Sequence, residues 1–531
     1  MSADPEVRLR SAISFIAVRL AEGGAPTRER VEKLKKAAAR DFHLGRYVSN
    51  NEILAALPRR LRPSFLEMLR VHPRRSASGI VVVTAFTKPL PCPHGTCVFC
   101  PGGPRLGTPQ SYLKDSPGMR TALASGFDPA EQVKKCLAKY EANGHETAKV
   151  ETIIEGGTFI ADPRDYQLSF VKGVYEGLNG RAYPTLVNAQ RANEGAGSRC
   201  VGLTIETKPD RCRPQDVDLM LSYGVTRLEI GVQSLHDSTL ARSNRGHTAE
   251  DAAVAMRVAR DAGLKVTGHM MPGLPGATPS EDLQDLRRLF AEADFRPDMT
   301  KLYPTLVVEG TALAKLRDAG RYEPYDLETV VELLSEMKAF VPRWHRIMRI
   351  QREIPAYEIS AGVKNGNLRE LVRERARERG HPCACIRCRE VALGEPAVIE
   401  DKDALKYTEE RYAASEGTEL FGSYEYEKSG LIAGFVRLRI PSEKAHRPEL
   451  RNAAVVRELR VYGRVVGIGE RKGNAWQHRG LGASMMRRME EQAKSELGRG
   501  RLLVTSAVGT RNYYRRLGYR RLGPYMAKKL E

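Results

Sequence analysis

Between Gly79 and about Pro355, short apolar runs alternate with amphipathic helical patterns, and no other feature restricts the fold of this chain so tightly. The runs are "GIVVVTAF", "KVETIIEGGTF", "CVGLTIETKPD", "VTRLEIGVQS", "LKVTGHMMPGLPG" and "MTKLYPTLVV". Patterns such as "TAEDAAVAMRVARDAGL" and "PSEDLQDLRRLFAEADF" lie between them. Buried strands alternating with amphipathic helices imply an α/β fold built on a parallel sheet or partial (β/α) barrel. Barrels of this kind carry their chemistry at the C-terminal ends of the strands. The polar and glycine-rich motifs of this chain fall at those ends: a three-cysteine loop, "EGGTF", "ETKPD", "GVQS" and "MMPGLPG".

The loop "PLPCPHGTCVFCPGGPR" holds Cys92, Cys97 and Cys100, three of the nine cysteines. Six of the nine sit in two tight clusters, which in a reducing compartment points to metal before disulfides. Three thiolates on one loop suit three irons of a cubane and leave the fourth iron open. The competing reading is a zinc loop completed by His94. The second cluster, "HPCACIRC", offers His381, Cys383, Cys385 and Cys388, a donor set for closed, structural zinc.

The net charge of +20 favours polyanionic partners. "TRERVEKLKKAAAR" reads as the solvated face of a helix. "PRRLRP", with Arg59, Arg60 and Arg62, and "HPRRSASG", with Arg74 and Arg75, suit a nucleic-acid surface, as does "RNYYRRLGYRRLG". No apolar run reaches the roughly 18 residues of a membrane span, and the first twenty residues lack a signal-peptide core. The expectation is a cytoplasmic protein with no membrane partner.

Four segments are expected: a basic segment at 1–78, the barrel at 79–360, a charged zinc-binding linker at 361–390, and a second α/β module at 391–531. In the last, "TELFGSYEYEKSGLIAGFVRLRIP" reads as a hairpin and "AAVVRELRVYG" as a strand with a bulge. "QHRGLGASMMRRMEEQAKSEL" reads as a glycine-rich turn running into a helix, and "RLLVTSAVG" as a buried strand. Gln477, His478, Arg479, Gly480, Leu481 and Gly482 form that turn, whose N–H groups can cradle a pyrophosphate at the positive helix end.

These motifs resemble two families. The cysteine loop, with Phe99 before its last cysteine, resembles that of radical S-adenosylmethionine (SAM) enzymes, although four residues separate Cys92 from Cys97 where the usual loop has three. On that resemblance Gly156, Gly157, Thr158, Glu206, Gln233 and Lys88 contact SAM. "QHRGLG" followed by "VTSAVGTRNYYRRLGY" resembles the acetyl-CoA pocket of GNAT acetyltransferases. The two together, joined by "CACIRC", resemble the catalytic-subunit family of Elongator along nearly the whole chain. Arg460 stands where that family is expected to have histidine. The resemblance implies a 4Fe-4S cluster, SAM, acetyl-CoA and zinc. It implies an enzyme that puts a carboxymethyl group on C5 of the wobble uridine in a tRNA anticodon stem-loop, with Tyr513 and Tyr514 near the thioester. An electron donor and other Elongator-type subunits are implied as partners. The rival class is a protein lysine acetyltransferase with a structural iron–sulfur domain; a non-catalytic RNA-binding scaffold is the third.

Overall fold

The computed structural model describes residues 4–23, 27–72, 76, 78–391, 405–462 and 480–530. Arg74 and Arg75 lie outside the described residues, as do Gln477, His478 and Arg479.

Four helices come first: α1 (Pro5–Glu22), α2 (Arg28–Asp41), α3 (Asn50–Ala56) and α4 (Arg62–Leu69). They enclose their own small core, with Ile16, Leu20, Ile53 and Phe65 inside. "TRERVEKLKKAAAR" is α2, capped by Thr27, and its charges pair along the helix surface.

The alternating region forms strands where its β-branched runs lie. These are β1 (Val81–Phe86), β2 (Lys149–Glu155), β3 (Arg199–Thr207), β4 (Arg227–Gln233), β5 (Lys265–Met270) and β6 (Met299–Leu302). A short β7 (Val307–Val308) follows, then β8 (Arg346–Arg349) and β9 (Ile359–Ala361). One sheet has the order β1-β2-β3-β4-β5-β6-β8, every pairing parallel; β7 and β9 form a separate antiparallel pair. Helices between the strands cover its outer face, where Val83, Ile154, Leu203, Ile205, Leu228 and Val266 are buried. Capping boxes at Thr248 and Thr278 start two of them. The sheet's other face lines a lumen, and that face carries charge: Glu151, Glu155, Glu206, Arg227, Glu229, His269 and Lys301.

The stretch read as a charged linker contains a helix, Leu368–Glu378, which packs Val372 and Ala376 inward beside the barrel helix Leu327–Met337. Its arginines pair with that helix, Arg375 with Glu328 at 2.7 Å. The segment is thus integrated with the barrel rather than a free connection.

The second sheet contains β10 (Leu405–Ala414), β11 (Gly417–Tyr426), β12 (Ile432–Ile440), β13 (Ala453–Val461), β14 (Arg501–Val504), β15 (Arg520–Leu522) and β16 (Tyr525–Lys529). Its order is β10-β11-β12-β13-β14-β16-β15, and only β13 and β14 run parallel. The expected hairpin is β11–β12. The register of β13 on β12 slips where Arg437 faces Glu458 and Leu438 faces Val456, which makes Arg457 the extra residue of a bulge. Helix Leu481–Glu491 packs Met485, Met486 and Met489 onto one face of this sheet.

The other face of the second sheet seats on the barrel through buried ions. Arg439 reaches Asp261 at 2.6 Å and Glu419 at 2.9 Å; Arg457 reaches Asp298 and Glu419, both at 2.6 Å. All five side chains are at most 1% exposed. Burial disfavours the Asp298 charge, but Arg457 and Arg260 more than offset it and hold the group far below the usual carboxylate range.

The C-terminal run "RNYYRRLGYRRLG" has a partly structural use. Arg511 is buried on Glu194 at 3.1 Å, and Arg515 meets the same carboxylate at 2.6 Å. Two of the arginines read as RNA-facing are therefore committed to tying this module to the barrel.

Candidate active site

The C-terminal strand ends surround a cavity of about 140 Å³. Cys92, Cys97, Phe99 and Cys100 line it from the loop after β1, Gly157 and Thr158 from the loop after β2, and Glu206 and Gln233 from the ends of β3 and β4. The structure thus gathers nearly all the sequence-expected SAM residues. Lys88 is apart: it is exposed, and its ammonium lies over the Tyr166 ring at 5.9 Å.

Two glycines explain the "EGG" motif. A Cβ on Gly157 would sit 3.2 Å from Cys92 Sγ, and one on Gly156 would collide with Thr87 Oγ1. Both residues have positive φ, at 40° and 151°. Backbone therefore comes as close to the cysteine loop as backbone can. Gln233 also has positive φ, 73°, which is rare for a side-chain-bearing residue and turns its amide toward the cavity. Its Oε1 is buried without a hydrogen-bond donor. Asp285 accepts from Ser234 Oγ and Leu235 N, both at 2.7 Å, and so fixes this strand end. Asp282 does the same for "MMPGLPG", accepting from Gly273 N and Tyr325 Oη at 2.8 Å.

Among the described residues, the three loop thiols are not one of the groups whose ligand atoms converge within 4.8 Å. Burial pushes the Cys92 thiol up to about 11, so a bound cation is needed to hold it as thiolate. Arg245 Nη1 donates to Cys97 Sγ at 3.2 Å. The His94 ring also stands 3.2 Å from Cys97, its pKa lowered to about 4, by burial first and by Lys208 and Arg245 next. His94 is a neutral neighbour of the sulfur.

Below the rim the lumen adds to Glu206 a group that no motif marks: Tyr112, Glu229, His269 and Lys301. Tyr112 donates to Glu206 at 2.7 Å, and His269 contacts Glu229 at 3.0 Å. Lys301 pairs with Glu229. Burial disfavours the Glu229 charge, yet Lys301, His269 and Arg227 hold it well below the usual carboxylate range. Glu155 is pushed the other way, by burial and by Glu206. A signal for this group was present: "RLEIG" and "KVTGH" place a charged or polar residue at alternate positions of otherwise apolar buried strands.

A second cavity, about 750 Å³, lies where β13 and β14 part. Their pairing ends at Val456 and Val504, after which β13 continues on β12 without β14 beside it. Leu459, Arg460, Gly480, Gly482, Tyr513 and Tyr514 line this cleft, and so do Lys149, Arg199, Thr226 and Lys265 from the base of the barrel. Gly480 has φ 81° and caps helix Leu481–Glu491. A Cβ on Gly482 would meet Tyr513 Oη at 2.8 Å. Tyr514 is buried in the module's core, while Tyr513 is half-buried beside it, ring centroids 5.1 Å apart.

Cys383, Cys385 and Cys388 do converge, their sulfurs within 4.8 Å of one another. Hydrogen bonds from Cys383 and Cys388 draw Cys385 well below the ordinary thiol value despite burial. His381 is exposed and lies outside this group. Of the expected RNA contacts, Arg59 and Arg60 are exposed. Arg62 instead donates to Leu57 O at 3.0 Å and Ala55 O at 2.8 Å, closing the end of α3.

A parallel barrel carrying cysteines and glycines on its C-terminal rim defines a radical SAM protein, and residues 91–290 match the Radical SAM superfamily. Residues 297–378 match the Radical SAM C-terminal domain and residues 9–77 the ELP3 N-terminal domain. Over 98% of both chains, this protein is 41% identical to a tRNA uridine(34) acetyltransferase of Methanocaldococcus jannaschii. It is 39% identical to Elongator complex protein 3 of Homo sapiens, over 94% of this chain and 93% of the human one. The solved Elp3 of Methanocaldococcus infernus, lacking its N-terminus, superimposes with a TM-score of 0.76 at 40% identity, covering 85% of this chain and all of that one. The chain belongs to the Elongator complex protein 3 family. A radical SAM domain implies SAM and a 4Fe-4S cluster. The cysteine triad, the close glycine backbone and the unpartnered Gln233 oxygen fit both. No described helix is long and apolar enough to cross a membrane.

Proposed function

We propose that this chain modifies the wobble uridine of tRNA, installing a carboxymethyl group on C5 with acetyl-CoA as the carbon source. The observation that carries the reading is one chain holding both a SAM-type rim and a splayed-strand cleft whose wall includes the barrel's base. Relatives named for uridine(34) acetylation match it from end to end.

Cys92, Cys97 and Cys100 would hold the cluster. With SAM bound, that group supplies a carbon-centred radical able to take hydrogen from an unactivated methyl group. Residues of the chain do the rest. Gly156 and Gly157 offer backbone to the methionyl end; Glu206 and Gln233 offer oxygens to ribose hydroxyls. Tyr112 stays protonated, because burial and the carboxylates Glu155 and Glu206 raise its pKa, and it orients Glu206. Arg349 and Arg352 in the cavity wall supply positive charge for a nucleotide.

The second module is read as a GNAT fold. Gly480, Leu481 and Gly482 present N–H groups at a helix N-terminus for the pyrophosphate. Tyr513 points its hydroxyl at that turn, and the gap after Val456 takes the thioester. Cys383, Cys385 and Cys388 are read as a structural zinc site whose fourth ligand is unassigned, with the domain limits expected from the sequence. Arg59 and Arg60 are read as phosphate contacts from the N-terminal helices. A cytoplasmic location follows from a tRNA substrate.

The lysine-acetyltransferase reading is weaker, because the cleft wall is shared with the barrel base rather than given over to a peptide groove. Nucleoside mass spectrometry of tRNA incubated anaerobically with reconstituted enzyme, SAM and acetyl-CoA tests the choice. The expected product is 5-carboxymethyluridine requiring both small molecules. Acetyl-lysine on protein, with unmodified uridine, would reverse it.

A further inference from the structure

The two cavities border the same strands of the barrel, with a septum of side chains between their linings. Strand β4 and the residue before it border both: Thr226 lines the lower cavity and Glu229 the upper. Three residues of strand span roughly 10 Å. Strand β5 repeats the arrangement, with Lys265 below and His269 above.

Closed barrels fill this layer with interlocked Val, Ile and Leu. Here it holds the Arg227–Glu151 ion pair, with Ile153, Thr204 and Thr267 on the same lumen face. On that face Thr204 Oγ1 and Arg227 Nε are buried without hydrogen-bond partners. Neighbouring unsatisfied buried polar atoms call for a ligand with amides or hydroxyls. Both halves of the ion pair also have a second partner in reach. Glu229 Oε1 stands 3.5 Å from Arg227 Nη2, on the upper side. Arg460 and Lys265, which line the lower cavity, lie near enough to stabilise the Glu151 charge. The pair can therefore part without leaving either charge alone, Arg227 turning up to Glu229 and Glu151 staying with Arg460 and Lys265.

We propose that the barrel lumen is a binding channel for the acyl-pantetheine end of a coenzyme A thioester seated in the lower cavity, with Arg227–Glu151 as a movable septum. The proposal rests on the reading of that cavity as a coenzyme A site. The pantetheine arm is narrow, carries two amides to match the orphaned lumen atoms, and extends far enough to cross one layer. Arg460 then holds Glu151 in place when the septum opens.

The test uses the full chain without cluster or SAM and reads labelled positions. An acyl-CoA bearing a diazirine at the end of a short acyl chain is photolysed on the protein, and the adducts are mapped by peptide mass spectrometry. Label is expected on 227–231 and 265–269, and excess acetyl-CoA should remove it. Ile153→Trp, which thickens the septum, should move the label back to 459–462 and 505–517 without reducing total uptake. Thr267→Phe provides a second plug should the first fail to fold. Wild-type label confined to 459–462 and 505–517, or lumen label that survives a folded plug, would overturn the channel. No coenzyme-competed label anywhere would overturn the coenzyme A reading of the lower cavity, and the channel with it.

Discussion

Two regions of this molecule bury charge, and they do so in opposite ways. At the junction between the barrel and the second sheet, every carboxylate oxygen of Asp261, Asp298 and Glu419 receives a hydrogen bond. In the lumen, Glu229 Oε1 and Gln233 Oε1 receive none. Burial alone does not separate the two, since Glu229 and Asp298 are equally inaccessible. Satisfaction of the carboxylates does, even though Arg260 Nε and Arg437 Nη1 at the junction are themselves without partners. A buried carboxylate with all its partners is a structural joint, and one with vacant valence faces a ligand.

The comparison breaks most forcefully at Arg457. Arg457→Met leaves Asp298 and Glu419 short of a partner, and loss of one member of a buried pair costs about 3–5 kcal/mol. Urea or thermal unfolding should show that loss, with activity falling only as the protein unfolds. Glu206→Gln, in the lumen, should leave the melting temperature nearly unchanged and abolish modified uridine. If the two variants behaved alike, the distinction between joint and site would fail.

Cys97→Ala comes next. Iron and sulfide content after anaerobic reconstitution should collapse, while circular dichroism and tRNA binding hold. A mutant that still releases 5′-deoxyadenosine would falsify the assignment of the loop. Gly480→Glu tests the lower cleft: a carboxylate at the helix start opposes a pyrophosphate, and the φ of 81° adds roughly 1–2 kcal/mol of backbone strain. Acetyl-CoA affinity, measured calorimetrically, should fall sharply while SAM binding stays.

These outcomes also bear on how far the sequence could be read. The parallel strands announce themselves, because β-branched runs ending in glycine leave few alternatives. Strand β8 does not, since "RIMR" is four residues long and half arginine. Strand β10 carries charge at four of its ten positions and resembles a surface loop. The rim residues were legible as motifs, and the lumen residues only as a periodicity within strands. Lys88 stands exposed over Tyr166 and His381 stands exposed outside the Cys383, Cys385 and Cys388 group, positions that the local sequence does not reveal. The junction arginines in "FVRLRIP" alternate in the strand just as the lumen charges do, and only the tertiary partner tells the two apart.

A smaller effect is expected at Asp282, whose carboxyl burial pushes up from 3.8 to about 7. A raised carboxyl contributes stability that is full below pH 3.8 and lost as the pH rises through about 7. The melting-temperature advantage of wild type over Asp282→Asn should therefore shrink across that window, and a flat difference would contradict the assignment. Smallest is the double reversal Arg59→Glu with Arg60→Glu, which should flatten the salt dependence of tRNA binding by a slope of up to about 2. An unchanged slope would move the RNA surface elsewhere.

The central claim is that the rim and the cleft act on one product. Anaerobic single turnover with acetyl-CoA deuterated at its methyl group tests it most directly, reading 5′-deoxyadenosine and tRNA nucleosides from the same tube. The expected result is deuterium in 5′-deoxyadenosine together with deuterated 5-carboxymethyluridine. Deuterium-free 5′-deoxyadenosine alongside acetyl-CoA hydrolysis and unmodified tRNA would contradict it, leaving two sites that merely share a chain.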